Sequence, residues 1–279
     1  MELIFLGTGA GSGVPAFYCH CPVCLEAAPD WRCRRTRCAI CVQGAETLLF
    51  DAPPELRFQL IRERIDQIDC LFLTHTHFDH SAGLGDLEIY ARYYRKDKLP
   101  TVMTHESWAQ LKKREDCALE WIDTIFLEPA QVYQRSDVAV AALEVSHSPG
   151  CVGYLISSEH GRTAYLPDTG PLPQSTMSQL WRVYNLLLDC TFWGDNWYPD
   201  DHLTFEQTIQ LAQEVEADTL YLTHLSMHHT QPVTSRRIEE CIARYGGRVR
   251  LAYDGLRISL ASKHVRPSAT QPASCITVS

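Results

Sequence analysis

The chain contains the run Thr74-His75-Thr76-His77-Phe78-Asp79-His80, directly after the apolar stretch 71–73. Gathering three imidazoles and a carboxylate on one short loop costs hydration and charge repulsion, and core packing alone gives no reason for it. Neutral imidazole nitrogen and carboxylate oxygen are ligands of zinc, iron and manganese, so the run predicts a divalent metal site. Because side chains alternate in an extended segment, His75 and His77 face one point while Asp79 and His80 can turn toward a second. The loop can therefore supply ligands to two ions.

Composition narrows the class of protein. The chain has 279 residues, of which 45% are hydrophobic, enough for the core of one large domain. Its net charge of −9 argues against a surface that coats nucleic acid. Residues 1–7 have a strand pattern with no basic leader, and no apolar run approaches membrane-spanning length. We therefore expect a cytoplasmic protein with no membrane partner, in which clustered members of the twelve cysteines bind metal and isolated ones are buried.

Hydrophobic periodicity predicts one layered α/β domain over residues 1–262. Strand patterns lie at 3–7, 39–42, 47–50, 70–74, 138–145, 153–157, 163–166, 186–189, 219–223 and 249–253. Helical patterns lie at 55–64, 85–94, 106–113, 173–182, 204–214 and 234–245. Thr204 and Gln207 form a predicted capping box at the start of the fifth helix. The Ser-, Pro-, Thr- and Ala-rich tail at 263–279 is predicted to be flexible.

Three further candidate ligands stand where predicted strands end. These are His147, Asp168 and His224. Polar side chains that follow several strands meet at one edge of an α/β sheet, which is where such proteins build their sites. A single histidine at such a position is more often structural than a ligand. Recurrence at three strand ends, together with the 74–80 loop, favours metal ligation.

The residues above, with Gly7-Thr8-Gly9-Ala10-Gly11-Ser12-Gly13-Val14-Pro15 and Phe50-Asp51-Ala52, resemble the metallo-β-lactamase superfamily in its phosphodiesterase and ribonuclease Z-like branch. The resemblance implies a four-layer αββα sandwich with a dinuclear site between two sheets. It implies that one ion is held by His75, His77 and His147, and the other by Asp79, His80 and His224. Asp168 would bridge the ions and Asp51 would support the site. Two divalent ions (manganese, zinc or iron) would share a water and generate hydroxide at neutral pH, so no side-chain nucleophile is required.

A second metal site is predicted at the cysteine loop 19–24. The run Cys19-His20-Cys21-Pro22-Val23-Cys24 offers three thiols, one ligand short of a structural zinc site. This pattern resembles the phosphodiesterase that accompanies carbon–phosphorus lyase in phosphonate degradation, and also a PQQ carrier-type coenzyme-biosynthesis relative. In that phosphodiesterase the fourth ligand ends a Thr-His-x-Ser-His motif, whereas here Met227 follows Ser226. A tighter turn would let His228 serve, and His229 and His20 stay open as alternatives.

Three other cysteines, Cys33, Cys38 and Cys41, lack the spacing of a metal knuckle. We predict that they are buried thiols. Nearby, Arg32, Arg34, Arg35 and Arg37 form a basic cluster in an acidic chain. The cluster could attract phosphate or form a solvated face, and the sequence leaves both open.

Substrate-side residues are predicted near the fifth helix. By resemblance, His202 contacts the substrate phosphate and assists the leaving group, so His202, Asp79 and Asp168 are the expected catalytic residues. The aromatic segment 192–199 either packs over the sheet edge or forms a lid in which Trp193 or Trp197 stacks a flat group.

The predicted function is metal-dependent hydrolysis of small cyclic phosphodiesters, such as a ribosyl 1,2-cyclic phosphate or 2′,3′-cyclic nucleotides, in phosphonate metabolism. A ribonuclease Z-like tRNA 3′-processing endonuclease is an alternative, disfavoured by the net charge and by the lack of a long basic, Gly/Pro-rich insertion. A non-hydrolytic PQQ carrier-type protein is another alternative. Such relatives often lack part of the ligand set, whereas this chain keeps all seven. No stable nucleic-acid partner is expected, and a homodimer stays open.

Overall fold

The computed structural model describes residues 1–114, 117–228 and 231–260. The strands within these ranges are β1 (Glu2–Gly7), β2 (Ala39–Gln43), β3 (Thr47–Phe50), β4 (Cys70–Phe72), β5 (Leu99–Met103), β6 (Ile122–Phe126), β7 (Val132–Arg135), β8 (Val138–Glu144), β9 (Val152–Ser158), β10 (Gly161–Leu166), β11 (Asn185–Asp189), β12 (Thr219–Thr223), β13 (Val249–Leu251) and β14 (Arg257–Ser259). The helices are α1 (Pro22–Ala27), α2 (Leu56–Glu63), α3 (Phe78–Ser81), α4 (Leu84–Ile89), α5 (His105–Lys113), α6 (Gln174–Leu180), α7 (Phe205–Glu214) and α8 (Ser235–Ile242). Short 3₁₀ or π turns lie at Trp31–Cys33, Tyr90–Arg95, Cys117–Trp121 and Ala243–Tyr245. The predicted tail at 263–279 lies outside the described residues.

The strands form two seven-stranded mixed sheets, in the orders β14-β1-β2-β3-β4-β5-β6 and β13-β12-β11-β10-β9-β8-β7. Strand β1 buries both faces, because Leu3 and Phe5 face the second sheet while Ile4 and Leu6 face the outer helices. Helices α2, α4 and α5 cover the first sheet, and α1, α6, α7 and α8 cover the second. Three apolar layers therefore separate four structural layers, which confirms the predicted αββα sandwich.

The strands bring the candidate ligands to one edge of the sandwich. In the first sheet β3, β4, β5 and β6 run parallel, and in the second β10, β11, β12 and β13 do the same. The loops after β3, β4, β10 and β12 carry Asp51, His75, Asp168 and His224 respectively. Because carboxyl ends of parallel strands share one edge, these side chains meet there.

The structure contains four strands that the sequence patterns do not predict. Strands β5, β6, β7 and β14 were not predicted, since they are short and carry interruptions such as Pro100 in β5 or Asp123 and Thr124 in edge strand β6. The predicted capping box is confirmed: Thr204 and Gln207 exchange hydrogen bonds at the start of α7. Within the described ranges, no helix has the length and apolar character needed to cross a membrane.

Candidate metal centre

Three histidines form the first ligand group. His75 follows β4, His77 stands before α3, and His147 follows β8. One ring nitrogen from each lies within 4.8 Å of the others, and His147 Nε2 is 3.2 Å from His77 Nδ1. His75 Nδ1 lies 3.0 Å from the Thr74 hydroxyl, and His147 Nδ1 donates to the Asp201 carbonyl at 3.1 Å. These outward bonds leave Nε2 of His75 and His147 as the nitrogens available to a metal.

Asp79, His80 and His224 form the second group, again within 4.8 Å of one another. The short helix α3 presents Asp79 and His80 consecutively, and each histidine Nε2 lies 3.6 Å from Asp79 Oδ2. His80 Nδ1 donates to Asp51 at 2.9 Å, and His224 Nδ1 donates to the Thr191 hydroxyl at 2.8 Å. The same outward bonding leaves both Nε2 atoms directed at Asp79.

Asp168 lies between the two groups. Its carboxylate is 3.0 Å from His80 Nε2, 3.1 Å from His224 Nε2 and 3.9 Å from His147 Nε2. Yet His75 Nε2, His80 Nε2, His224 Nε2 and Asp168 Oδ2 are buried and make no hydrogen bond. Buried polar atoms without partners are costly, and four of them converging on one space fit a pair of cations. The donors are the imidazoles and carboxylates that divalent transition metals bind.

The charges of the site support this assignment. Burial lowers the pKa of His75 and His77, which keeps their rings neutral. Burial alone would raise the pKa of Asp168, but His224 and His80 hold it well below its usual range. The pKa of His80 is raised well above its ordinary value, because Asp168, Asp79 and Asp51 outweigh the opposing effect of burial. A bound cation would take the place of the proton on His80.

Asp51 stands behind the ligands, fully buried. Its carboxylate accepts hydrogen bonds from the Thr74 amide, the Thr74 hydroxyl, His80 Nδ1 and the Tyr165 hydroxyl at 2.8 to 3.2 Å. Through Thr74 it orients His75, and directly it orients His80. Asp51 is the residue for which the sequence predicts a supporting role, and it contacts Thr74 and His80 directly.

His202 also lies at this edge, with its ring stacked on His224 at 5.3 Å between centroids. Its Nδ1 donates to Asp189 Oδ2 at 2.7 Å, and this buried carboxylate also accepts from the amides of Thr169 and Thr191. Burial opposes charge on His202, but Asp189 raises the pKa of His202 to about 9. Asp189 was missed by the sequence analysis, although it ends a predicted strand just as Asp168 follows one.

The cysteine loop forms a separate cluster. Cys19, Cys24 and His228 place their ligand atoms within 4.8 Å of one another. The Cys21 thiol contacts both other thiols, and burial raises the pKa of Cys24 to about 12. Met227 has a left-handed φ of 61°, and the His228 amide donates back to the Ser226 carbonyl at 2.7 Å. This tight turn absorbs the extra residue Met227 and brings His228 to the thiols.

The other predicted ligands and cysteines have different positions. His20 is exposed and belongs to no ligand cluster among the described residues, and His229 lies outside them. Cys38 and Cys41 are buried as predicted, whereas Cys33 is only half-buried. Cys19, Cys24 and His228, with the Cys21 thiol in contact with both other thiols, supply the donor types that zinc binds in structural sites.

The arginine cluster does not form one surface. Arg35 is 1% exposed, and its main chain pairs with Val14, so the expectation of a phosphate-attracting or solvated face is wrong for this residue. Arg34 bonds the carbonyls at the end of α1, and Arg37 pairs with Glu55. Arg32 and Arg34 are both exposed, and Arg32 lies over the ring of Trp31.

The aromatic segment divides into two environments. Trp193 is half-buried and packs on Phe205 of α7 at 4.6 Å, so its ring belongs to the core. Trp197 is 50% exposed and packs edge-on against Phe192, which in turn lies 6.1 Å from His202. Of the two predicted stacking residues, Trp197 therefore has the accessible ring beside the site.

Comparison with known proteins places this geometry in a family. A family model described as "Beta-lactamase superfamily domain" matches residues 46–225. An octanoyltransferase from Porphyromonas gingivalis is 27% identical over 279 residues, which are 98% of this chain and 54% of the relative. The chain thus spans about half the length of that protein. Coenzyme PQQ synthesis protein B from Methylorubrum extorquens is 29% identical over 225 residues, 70% of this chain and 75% of the relative. A solved structure of a diphosphatase from the PhnP family has a TM-score of 0.79 and 26% sequence identity to this chain. The match covers 92% of this chain and 97% of the diphosphatase chain.

Proposed function

The chain belongs to the metallo-β-lactamase superfamily, and from that membership and the geometry above we propose that it is a metal-dependent phosphodiesterase for small cyclic phosphodiesters. The observation that carries the proposal is the convergence of four buried ligand atoms that make no hydrogen bond, beside the His202–Asp189 pair. A metal pair suits hydrolysis of a phosphodiester, and a positioned histidine suits protonation of its leaving group. Similarity to the PhnP-family diphosphatase supports phosphoryl chemistry.

The assigned roles follow from contacts. We assign His75, His77 and His147 to one ion, Asp79, His80 and His224 to the other, and Asp168 to both. When bound, the two ions would lower the pKa of a shared water and neutralise charge on phosphoryl oxygens. His77 is the exposed member of the ligand set, so substrate would reach the site from the side of His77. Cys19, Cys21, Cys24 and His228 would hold a structural zinc.

His202 is the residue assigned to proton transfer. Because Nδ1 is held by Asp189 at 2.7 Å, Nε2 is the ring nitrogen left to exchange a proton with substrate. Stacking on His224 keeps this ring beside the ligand group. In the proposed reaction His202 gives its Nε2 proton to the departing alkoxide oxygen as the P–O bond breaks.

The similarity to coenzyme PQQ synthesis protein B keeps a non-hydrolytic biosynthetic role as the second candidate. The presence of all seven expected ligands around one space favours hydrolysis. Against a tRNA 3′ endonuclease stands the net charge of −9, because binding of a long polyanion needs a basic surface.

The test is metal analysis of the purified protein for zinc, manganese and iron, combined with turnover assays. The substrates are bis(p-nitrophenyl) phosphate, a ribosyl 1,2-cyclic phosphate, a 2′,3′-cyclic nucleotide, a tRNA precursor and a β-lactam. His80→Ala should abolish phosphodiester turnover, whereas His105→Ala is the matched control, because His105 is an exposed histidine that pairs with Glu128. Lack of phosphodiester turnover with all three metals would refute the proposal.

A further inference from the structure

One buried segment, residues 224–228, joins the two candidate metal sites. Its first residue, His224, belongs to the His/Asp centre, and its last, His228, belongs to the cysteine cluster. All five residues are at most 7% exposed. His224 and Met227 have left-handed φ angles of 53° and 61°. Non-glycine residues keep such conformations only where their surroundings enforce them, so the placement of His224 depends on what holds this segment.

The glycine loop, residues 7–13, holds the segment along its length. The Leu225 amide donates to the Thr8 carbonyl at 2.9 Å, and the Ala10 amide donates to the Leu225 carbonyl at 3.1 Å. At the far end, Ser12 Oγ lies 2.8 Å from His228 Nε2. The contact of Ser12 therefore connects the loop to His228, a member of the cysteine cluster.

The same loop also touches Asp79. A Cβ atom at Gly11 would lie 3.1 Å from Asp79 Oδ2, so the backbone passes directly beside this carboxylate. Asp79 and His224 belong to one ligand group. The glycine loop thus lies beside Asp79, bonds Leu225 directly after His224, and reaches the cysteine cluster through Ser12.

The three-histidine group is held by other residues. His75 bonds Thr74, and His147 bonds the carbonyl of Asp201. The Thr76 carbonyl, between His75 and His77, accepts from Arg114 of the loop after α5. A disturbance at the cysteine cluster would therefore reach the Asp79, His80 and His224 group first.

We propose that the cysteine cluster and Ser12 are positioning elements for one of the two ions of the His/Asp centre, the ion held by Asp79, His80 and His224. Metal at the cysteine cluster fixes His228, and His228 fixes the 224–228 segment and the glycine loop against Asp79. Loss of that metal weakens this ion selectively and leaves the three-histidine ion in place. The inference rests on the dinuclear site of the proposed function.

The experiment counts metal and needs no substrate. The full chain and its variants are stripped of metal and titrated with cobalt(II). Thiolate-to-cobalt charge-transfer absorption reports the cysteine cluster, and ligand-field bands with calorimetry report the His/Asp centre. Ser12→Ala and Cys24→Ser should each weaken one His/Asp ion by about 10-fold or more, the usual effect of losing a supporting contact of a ligand. The other ion should bind as in the unaltered chain.

Two variants serve as controls. Ser12→Thr keeps the hydroxyl, so the cysteine cluster and both His/Asp ions should bind cobalt as in the unaltered chain. Cys33→Ser removes a nearby cysteine outside the cluster and should leave cobalt binding unchanged at both the cysteine cluster and the His/Asp centre. If Cys24→Ser fails to fold by circular dichroism, the Ser12→Ala and Ser12→Thr pair decides alone.

Two results would overturn the inference. In one, the cysteine cluster empties while both His/Asp ions keep their affinity. In the other, both ions weaken equally, which would indicate general loosening of the fold. If the asymmetry appears in a protein that hydrolyses no phosphodiester, the inference stands and the proposed activity is refuted. If the unaltered chain binds no metal at its His/Asp centre, both are refuted.

Discussion

Replacing Asp189 by Asn tests whether proton transfer by His202 is part of catalysis. The Asp189 carboxylate is fully buried and accepts from His202 Nδ1, Thr169 N and Thr191 N at 2.7 to 3.1 Å. An amide has one accepting oxygen instead of two, so at least one of these donors would face an N–H₂ group. A charge-assisted hydrogen bond to His202 contributes about 1.5–3 kcal/mol. If that amount is lost from the transition state, kcat falls by about 10- to 150-fold.

The leaving group decides the interpretation. An alkoxide such as a nucleoside hydroxyl needs a proton to depart, whereas p-nitrophenolate does not. Asp189→Asn should therefore slow hydrolysis of a 2′,3′-cyclic nucleotide strongly and that of bis(p-nitrophenyl) phosphate little. His202→Ala should show the same pattern, and the double variant should be no slower than His202→Ala alone, because both act on one proton. Asp195→Asn, which alters a carboxylate of the 192–199 segment outside these hydrogen bonds, is the control.

Metal content must be measured with each rate. Equal slowing of aryl and alkyl substrates would refute the reasoning, since it would show that Asp189 acts on something other than the departing oxygen. Loss of bound metal in Asp189→Asn would refute it as well, because the effect would then pass through the neighbouring His224.

Removal of metal by a chelator should abolish turnover and lower the melting temperature. Metal present at about 1,000 times its dissociation constant adds about 4 kcal/mol to the stability of the folded state. Calorimetry before and after zinc is restored measures this difference. Asp51→Ala removes four buried hydrogen bonds and should lower the free energy of unfolding by about 3–5 kcal/mol, measured by urea titration. Trp193→Ala should also lower the free energy of unfolding, by up to about 3 kcal/mol, with KM unchanged. Trp197→Ala should raise KM for a cyclic nucleotide more than for a small phosphodiester, and equal effects on both would exclude base stacking.

The sequence was most informative where chemistry is concentrated locally. Ligand types packed at 74–80, and polar residues after apolar strands, predicted positions that the fold brings together in groups whose ligand atoms lie within 4.8 Å of one another. The layered α/β class followed from the strand and helix patterns, whereas the αββα order followed from the resemblance to the metallo-β-lactamase superfamily. In the structure Leu3 to Leu6 of β1 bury both faces of that strand, as a layer between two others requires. These features depend on spacing within one segment or on strand ends, which a sequence displays directly.

Residues whose role depends on distant partners were not predictable in the same way. Asp189 is one acidic residue at the end of a strand, and only the placement of His202 thirteen positions later connects it to the site. Arg35 belongs to a run of arginines, yet its main chain pairs with Val14 and its guanidinium reaches Ser235, 200 positions away. Burial of this side chain is decided by tertiary packing, which local charge patterning does not reveal.

Three of the nine non-glycine residues with positive φ angles among the described residues stand at the candidate metal sites. Asp51, His224 and Met227 all have positive φ angles of 53° to 66°, a conformation that costs a non-glycine residue about 1–3 kcal/mol. Two of these three carry site side chains, and the third makes the turn that delivers His228 to the thiols. The left-handed bend at Asp51 lets one carboxylate reach Thr74, His80 and Tyr165 together, and the bend at His224 turns a strand end toward Asp168. Hydrogen bonds from both sheets and the glycine loop offset this cost, so the ligands converge through the protein's own contacts, and a metal needs to reorganise little on binding.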